Sequence, residues 1–176
     1  MARCLGGDLA AFEPLVGRYE RVLFRVALRL TGEYEDARDA TQSAFVKAFE
    51  QLHRYDSKRK FFSWIYRIAV NECLNLRRSR RPQEALTEGL EGADAHQGPF
   101  EAFAQAEARR RIDGAMAHLS FEYREVIALR HFADLSYEEM ADAIGVPEKT
   151  VKSRLFSARQ KLGGLLGMAR DATNGE

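Results

Sequence analysis

The sequence predicts an all-α chain: two small helical domains joined by a flexible linker, the C-terminal one containing a helix-turn-helix. Three observations predict it. Apolar residues recur at helical spacing almost throughout, and no alternating run is long enough to compete as a strand. Residues 82–98 interrupt that periodicity with three glycines, one proline and scattered acids. Finally, LSYEEMADAIGVPEKTVKSRLFSARQKL, Leu135 to Leu162, sets two helical patterns around Gly-Val-Pro. The expected division is therefore 1–81, a linker over 82–98, and 99–176.

The elements follow in order. Leu9, Phe12, Leu15, Val16, Tyr19, Leu23, Val26 and Leu30 form one stripe from Asp8 to Leu30, stopped by Thr31-Gly32. A second pattern, about Tyr34 to His53, is carried by Ala37, Ala40, Thr41, Ala44, Phe45, Ala48, Phe49 and Leu52. Arg54 to Lys60 is polar and reads as a loop. A third helix runs from Phe61 to about Ser79, ahead of Pro82. Helical pattern resumes over about Pro99–His118, then Ser120–Phe132, then in the stretch quoted above; the tail after Gly167 reads as frayed.

The 176 residues carry a formal net charge of only +1, but the charge is unevenly distributed. Lys58 to Arg81 holds eight Lys or Arg against one acid, Glu72, whereas Pro82 to Ala108 holds six acids and no Lys or Arg. A basic block followed by an acidic one points to a localised polyanion site. Cys4 and Cys73 are too few and too far apart for a disulfide framework, so a reduced cytoplasmic setting is expected. No secretory segment or membrane-inserting run is read; Val22 to Leu30 is broken by Arg25 and Arg29.

In the helix-turn-helix, Ser136 followed by Glu139 is a capping box that should start the first helix. Gly145 allows a sharp exit, and Pro147 suits the first turn of the next helix, where its missing N–H is not needed. Val151, Leu155, Ala158 and Leu162 then form a narrow inner stripe. Opposite lie Lys149, Lys152, Ser153, Phe156 and Gln160, donors suited to base edges and phosphates. An ordinary amphipathic hairpin with a solvated charged face is the alternative at this point.

The stretch FFSWIYRIAVNECLNLRRSRR supplies context. Trp64, Arg67, Asn71, Asn75 and Arg78 share one helical side, while Ile65, Ala69, Cys73 and Leu76 suit a core. Amides and guanidiniums beside an indole, preceded by Ser57-Lys58-Arg59, fit melted or single-stranded nucleic acid: cations track the backbone and aromatics accept unstacked bases. Phe61, Phe62 and Tyr66 are expected to pack in the core instead. Catalysis is not expected. His53, His96, His118 and His131 are isolated, no metal-ligand spacing or phosphate-cradling glycine loop occurs, and no cofactor is expected. Glu138-Glu139 suits a helix N-terminus.

Four blocks in order, GDLAAFEPLVGRY, DARDATQSAFVKAF, FFSWIYRIAVNECLN and the quoted helix-turn-helix, resemble the extracytoplasmic-function (ECF) sigma factors of the sigma-70 family. The resemblance implies an alternative sigma factor, not an enzyme, whose partners are core RNA polymerase (β′ clamp and β flap), promoter DNA and an anti-sigma factor. It implies polymerase docking through Asp36, Asp39, Gln42, Phe45 and Lys47. It implies −10 recognition and melting through Ser57, Lys58, Arg59, Trp64, Arg67, Asn71 and Asn75, with Arg77 and Arg78 on phosphates. It places −35 duplex recognition on Lys149, Lys152, Ser153, Phe156 and Ser157. Ser157 stands where many relatives carry Arg or another large donor, and Ala40-Thr41 replaces an apolar pair common before the Gln. A stand-alone helix-turn-helix repressor or activator would explain the C-terminal half but leave the Trp64 helix unused. A protein-interaction adaptor would use the basic helix on an acidic partner.

Overall fold

The structure, a computed structural model, describes residues 2–5, 8–79 and 99–173. Among them every regular element is helical, as the periodicity predicts: α1 (Ala2–Leu5), α2 (Glu13–Thr31), α3 (Tyr34–Glu50), α4 (Phe61–Ser79), α5 (Pro99–Ala117), α6 (Phe121–His131), α7 (Tyr137–Ile144) and α8 (Glu148–Thr173). The expected linker, 82–98, lies outside the described residues.

Pro14 divides the first expected stripe. Leu9–Phe12 is a 3-10 turn, and α2 starts at Glu13 with proline in its first turn, where no backbone donor is lost. Gly32 ends α2 in the left-handed conformation, φ 84°, and its N–H bonds the carbonyl of Leu28. The second pattern is also divided: α3 stops at Glu50 and Leu52–Arg54 forms a separate 3-10 turn. In α3, Thr41 is buried, and its hydroxyl donates to the Ala37 carbonyl at 2.7 Å. The polar atom is thus satisfied within its own helix.

Leu23, Val26, Ala27 and Leu30 of α2 pack against Ala37, Ala40, Ala44 and Ala48 of α3 and Ile65, Ala69 and Cys73 of α4. The alanine row on α3 lets the helices approach closely. In the second half Val126, Ile127, Ala128 and Leu129 of α6 meet Met140 and Ala143 of α7 and Val151, Leu155 and Ala158 of α8. The two sets form one continuous core, not two separate ones. Arg124 to Leu129 is buried without a break, so α6 is wrapped on several sides, with α2 and α8 among its neighbours. The backbone of α8 continues past the expected fraying point at Gly167 as far as Thr173.

Candidate nucleic-acid interface

Two surfaces present the residues expected to meet DNA. The first is α4 with the loop before it. Asp56 shapes that loop: its Oδ1 accepts from the Lys58 N–H at 3.0 Å, and its carbonyl accepts from the Arg59 N–H at 3.0 Å. This is a turn organised by its own aspartate. Ser57, Lys58 and Arg59 stay exposed on it. Tyr55 closes the base, donating its hydroxyl to the Arg59 carbonyl and packing its ring 5.1 Å from Trp64 and 5.9 Å from Phe61. Burial raises the Tyr55 phenol above its ordinary value, and the neighbouring Tyr19 and Asp56 add to the effect. Trp64 is half-buried, so an edge of the indole remains available.

Along α4 the outward row is real but unevenly accessible. Asn71, Asn75, Arg77 and Arg78 are exposed, whereas Arg67 is half-buried because it reaches the second half of the chain. Its Nε donates to the Ala143 carbonyl at 3.2 Å, and a terminal nitrogen donates to the Asp142 carbonyl. Those carbonyls lie in the last turn of α7, where intrahelical partners run out and the helix dipole is negative. Arg67 therefore acts as a cap for α7. Phe61, Phe62 and Tyr66 are buried, as expected for packing. Cys73 is fully buried and its thiol is pushed up to about 12 by desolvation, so it behaves as a small apolar residue.

The second surface is the helix-turn-helix. The capping box forms: Ser136 Oγ accepts from the Glu139 N–H at 3.2 Å, and Glu139 Oε2 accepts from the Ser136 N–H at 2.9 Å. Gly145, φ 80°, provides the left-handed exit. Pro147 sits one residue before α8 rather than inside its first turn; its carbonyl accepts the Thr150 and Val151 N–H groups. Val151, Leu155 and Ala158 are buried, Leu162 partly so. Lys149, Lys152, Ser153 and Phe156 are exposed, Phe156 at 64%, and Ser157 is half-buried. Lys152 pairs with Glu148 at 2.6 Å and lies 5.4 Å from the Tyr137 ring. The hydrogen bond to Glu148 raises its pKa.

The expected polymerase-facing residues divide into two groups. Asp36 and Phe45 are buried at 5% and 7%, Phe45 with its ring edge-on to Phe12, so they support α3 from below. Asp39 and Gln42 are exposed, and Lys47 bridges to Glu72 of α4 at 2.7 Å. Val46 and Phe49 are exposed as well, and with Asp39 and Gln42 they fall on one outward stripe at steps of three, four and three. The sequence reading passed over Val46, although the spacing from Gln42 would have found it.

Comparison with known proteins shows the family. The family pattern described as "Sigma-70 region 2" matches residues 15–83, and "Sigma-70, region 4" matches residues 109–162. The sigma-E factor of Escherichia coli strain K12 is 32% identical over 166 residues, covering 89% of this chain and 86% of its own length. The chain belongs to the ECF sigma factors of the sigma-70 family. SigW of Bacillus subtilis is 30% identical over 166 residues, with 89% of each chain covered. Among solved structures, CnrH in complex with the cytosolic domain of CnrY aligns with a TM-score of 0.73 at 29% identity, covering 95% of this chain and 94% of that one. The sigma factor RpoE of Bartonella quintana, in complex with the anti-sigma factor NepR, shares the fold with a TM-score of 0.73 at 22% identity, covering 89% and 97%. The region 2 match covers α2 from Leu15 onward together with α3 and α4, and the region 4 match contains α6 and α7.

No helix among the described residues is long and apolar enough to cross a membrane, and no cluster of potential metal ligands occurs among them.

Proposed function

We propose that this sigma factor recruits core RNA polymerase to promoters by reading two DNA elements in two physical states. Helix α4 and its preceding loop take the melted −10 element: Trp64 offers a stacking edge, Asn71 and Asn75 offer amides, and Ser57, Lys58, Arg59, Arg67, Arg77 and Arg78 hold phosphates. The exposed face of α8 takes the −35 duplex, with Lys149, Lys152, Ser153 and Phe156 entering the major groove and Ser157 at the margin. The observation that carries this reading is the pairing, on one chain, of an amide and cation row beside an indole with a separate capped helix-turn-helix. A duplex-only regulator has no use for the first.

Core polymerase docks on the outward stripe of α3, Asp39, Gln42, Val46 and Phe49, with Lys47 beside it and with Asp36 and Phe45 shaping the helix beneath. Polymerase holding both readers at fixed spacing multiplies two weak affinities without new contacts. The division into a docking and −10 domain (1–81), a linker (82–98) and a −35 domain (99–176) follows from these roles. The setting is the cytoplasm, and the chain performs no catalysis of its own. An anti-sigma factor is a further partner; the RpoE neighbour caught with NepR supports that part of the reading.

Runoff transcription with core polymerase and a promoter library tests the proposal. New start sites should appear only when core and this chain are both present. Asn71→Ala and Lys152→Ala should each reduce them, the first at promoter melting and the second at duplex binding. Unchanged initiation by both variants would sink the assignment of the two faces. Tight palindromic binding without polymerase would favour a repressor.

A further inference from the structure

Helix α2 carries a row of cations that neither reading face accounts for. Arg18, Arg21 and Arg25, at steps of three and four, occupy one exposed side of it. On their own helix none of the three has an acid three or four positions away, and Glu13 and Glu20, the acids of α2, lie off that side. Like charges at that spacing destabilise a helix. Exposed cations elsewhere have an acid in helical register, Arg38 with Glu35 and Lys152 with Glu148. The next arginine of α2 is turned elsewhere: Arg29 pairs with Asp113 of α5 and lies 4.4 Å from the Phe132 ring. There too the end of α2 is covered, since Arg124 of α6 donates to the Leu30 carbonyl at 3.1 Å.

The row starts beside the Trp64 surface. The Arg18 guanidinium lies 5.4 Å from the Tyr19 ring, Tyr19 lies 5.5 Å from Phe61, and Phe61 lies 5.8 Å from Trp64. A continuous line of ring contacts therefore joins the indole to the first arginine. From Arg18 the row runs about 10 Å along the helix axis to Arg25. One turn on from Arg21, Phe24 packs 5.2 Å from Tyr34, a ring 51% exposed where α3 begins. Cations in line with an open aromatic ring beside them suit single-stranded nucleic acid: guanidiniums follow the backbone and the ring accepts a base.

We propose that the outer side of α2 is a second single-strand site, which takes the stretch of melted strand adjoining the −10 element. Arg18, Arg21 and Arg25 hold its phosphates, and Tyr34 stacks on one of its bases. This rests on the reading of α4 as the single-strand reader. Strand held on α2 is kept from re-annealing, so the row favours an opening longer than the −10 bases alone. An acidic protein surface would satisfy the arginines but would leave the Tyr34 ring without a use.

The test uses the full-length chain with core polymerase on two pre-melted promoter templates. One is open over the −10 element only; the other has an opening lengthened on both sides. The parent should bind the longer opening more tightly. A chain carrying Arg18→Gln, Arg21→Gln and Arg25→Gln should match the parent on the short opening and fall about tenfold behind it on the long one. On the long opening its slope of log affinity against log salt should be shallower by about 2, three phosphate contacts at about 0.7 each. Lysine at the same three positions should restore both. Tyr34→Ala should lose part of the gain with the salt slope unchanged. A glutamine chain that keeps the full gain overturns the proposal. So does one that binds core polymerase more weakly without DNA, since the row then meets an acidic protein surface. Glutamine is a good helix former, and circular dichroism checks the fold; should helicity fall, Tyr34→Ala decides alone. Asn71→Ala is the control for the underlying reading and should weaken both templates equally. If it weakens neither, α4 is not the reader, whatever the row does.

Discussion

Helices α4 and α8 are both amphipathic, both basic outside and both locked by a stripe of small apolar residues inside, yet their outer faces have different surroundings. On α8 the polar side chains are used locally: Lys152 pairs with Glu148 of its own helix and Ser153 bonds the Thr150 carbonyl at 3.0 Å. On α4 two polar side chains reach across to another part of the molecule, Arg67 from the outer row and Tyr66 from the buried side. Tyr66 is bound to α6 and Arg67 to α7, residues 59 and more than 70 positions away. Local partners can be dropped cheaply when DNA arrives, because solvent replaces them. Long-range partners tie recognition to the packing of the whole chain. A surface of either kind looks the same in a helical wheel, but only the second makes binding a conformational event.

The comparison breaks most completely at Met140, which is fully buried in α7, the helix packed against both α4 and α8. Met140→Ala should cost about 2 to 5 kcal/mol in denaturant unfolding. A smaller loss sharpens the contrast. Tyr66→Phe leaves the buried Glu125 carboxyl without its donor and should cost about 1 to 3 kcal/mol. Ser153→Ala, the nearest equivalent on α8, should stay within about 0.5 kcal/mol. Equal effects at the two positions would remove the distinction between local and long-range partners.

The smallest effect is in pH. Burial raises the Glu125 carboxyl above its ordinary value of 4.5, with the Tyr66 hydrogen bond working against it. The folded chain then holds that proton more tightly than the unfolded one. Its contribution is fully present below 4.5 and is lost as the pH climbs through the raised value. Glu139 has the opposite sign. The Lys60 hydrogen bond first, and the Ser136 N–H after it, depress its pKa. Its contribution is present above 4.5 and is lost as the pH falls through the depressed value. The stability difference between the parent chain and Glu125→Gln should therefore shrink or reverse as the pH rises from 4.5, measured by urea titration across a pH series. Parallel curves would show that Glu125 titrates normally.

The helices were legible in the sequence because their stripes are local, and so were the capping box at Ser136 and the stop at Gly32. Pro14 was visible too, but its consequence, a 3-10 turn in place of the first helical turns, required knowing that Phe12 turns inward to meet Phe45, Phe49 and Phe61. The candidate sites were legible as rows, not as accessible rows. Asp36 and Phe45 fell into the core because α3 buries a wider face than its polar residues suggest. Arg67 was correctly placed beside Trp64, but its second set of partners depends on α7, which no periodicity relates to it. One signal did exist. Val126-Ile127-Ala128-Leu129 is an unbroken apolar run, and a helical stretch apolar on every side must be enclosed by more than one neighbour.

That enclosure also has an order in time. The ribosome makes α2, α3 and α4 first, and roughly fifty residues separate the end of α4 from the end of α6. At about 5 to 20 residues per second, the nascent chain spends about 3 to 10 s with Tyr66 and the Leu30 carbonyl facing water. Glu125 and Arg124, which will cover them, have not yet been made. The first half must therefore hold its shape alone during those seconds, on its alanine-rich α2–α3–α4 packing. Each newly made molecule passes once, before it is finished, through a state in which α4 has no cover.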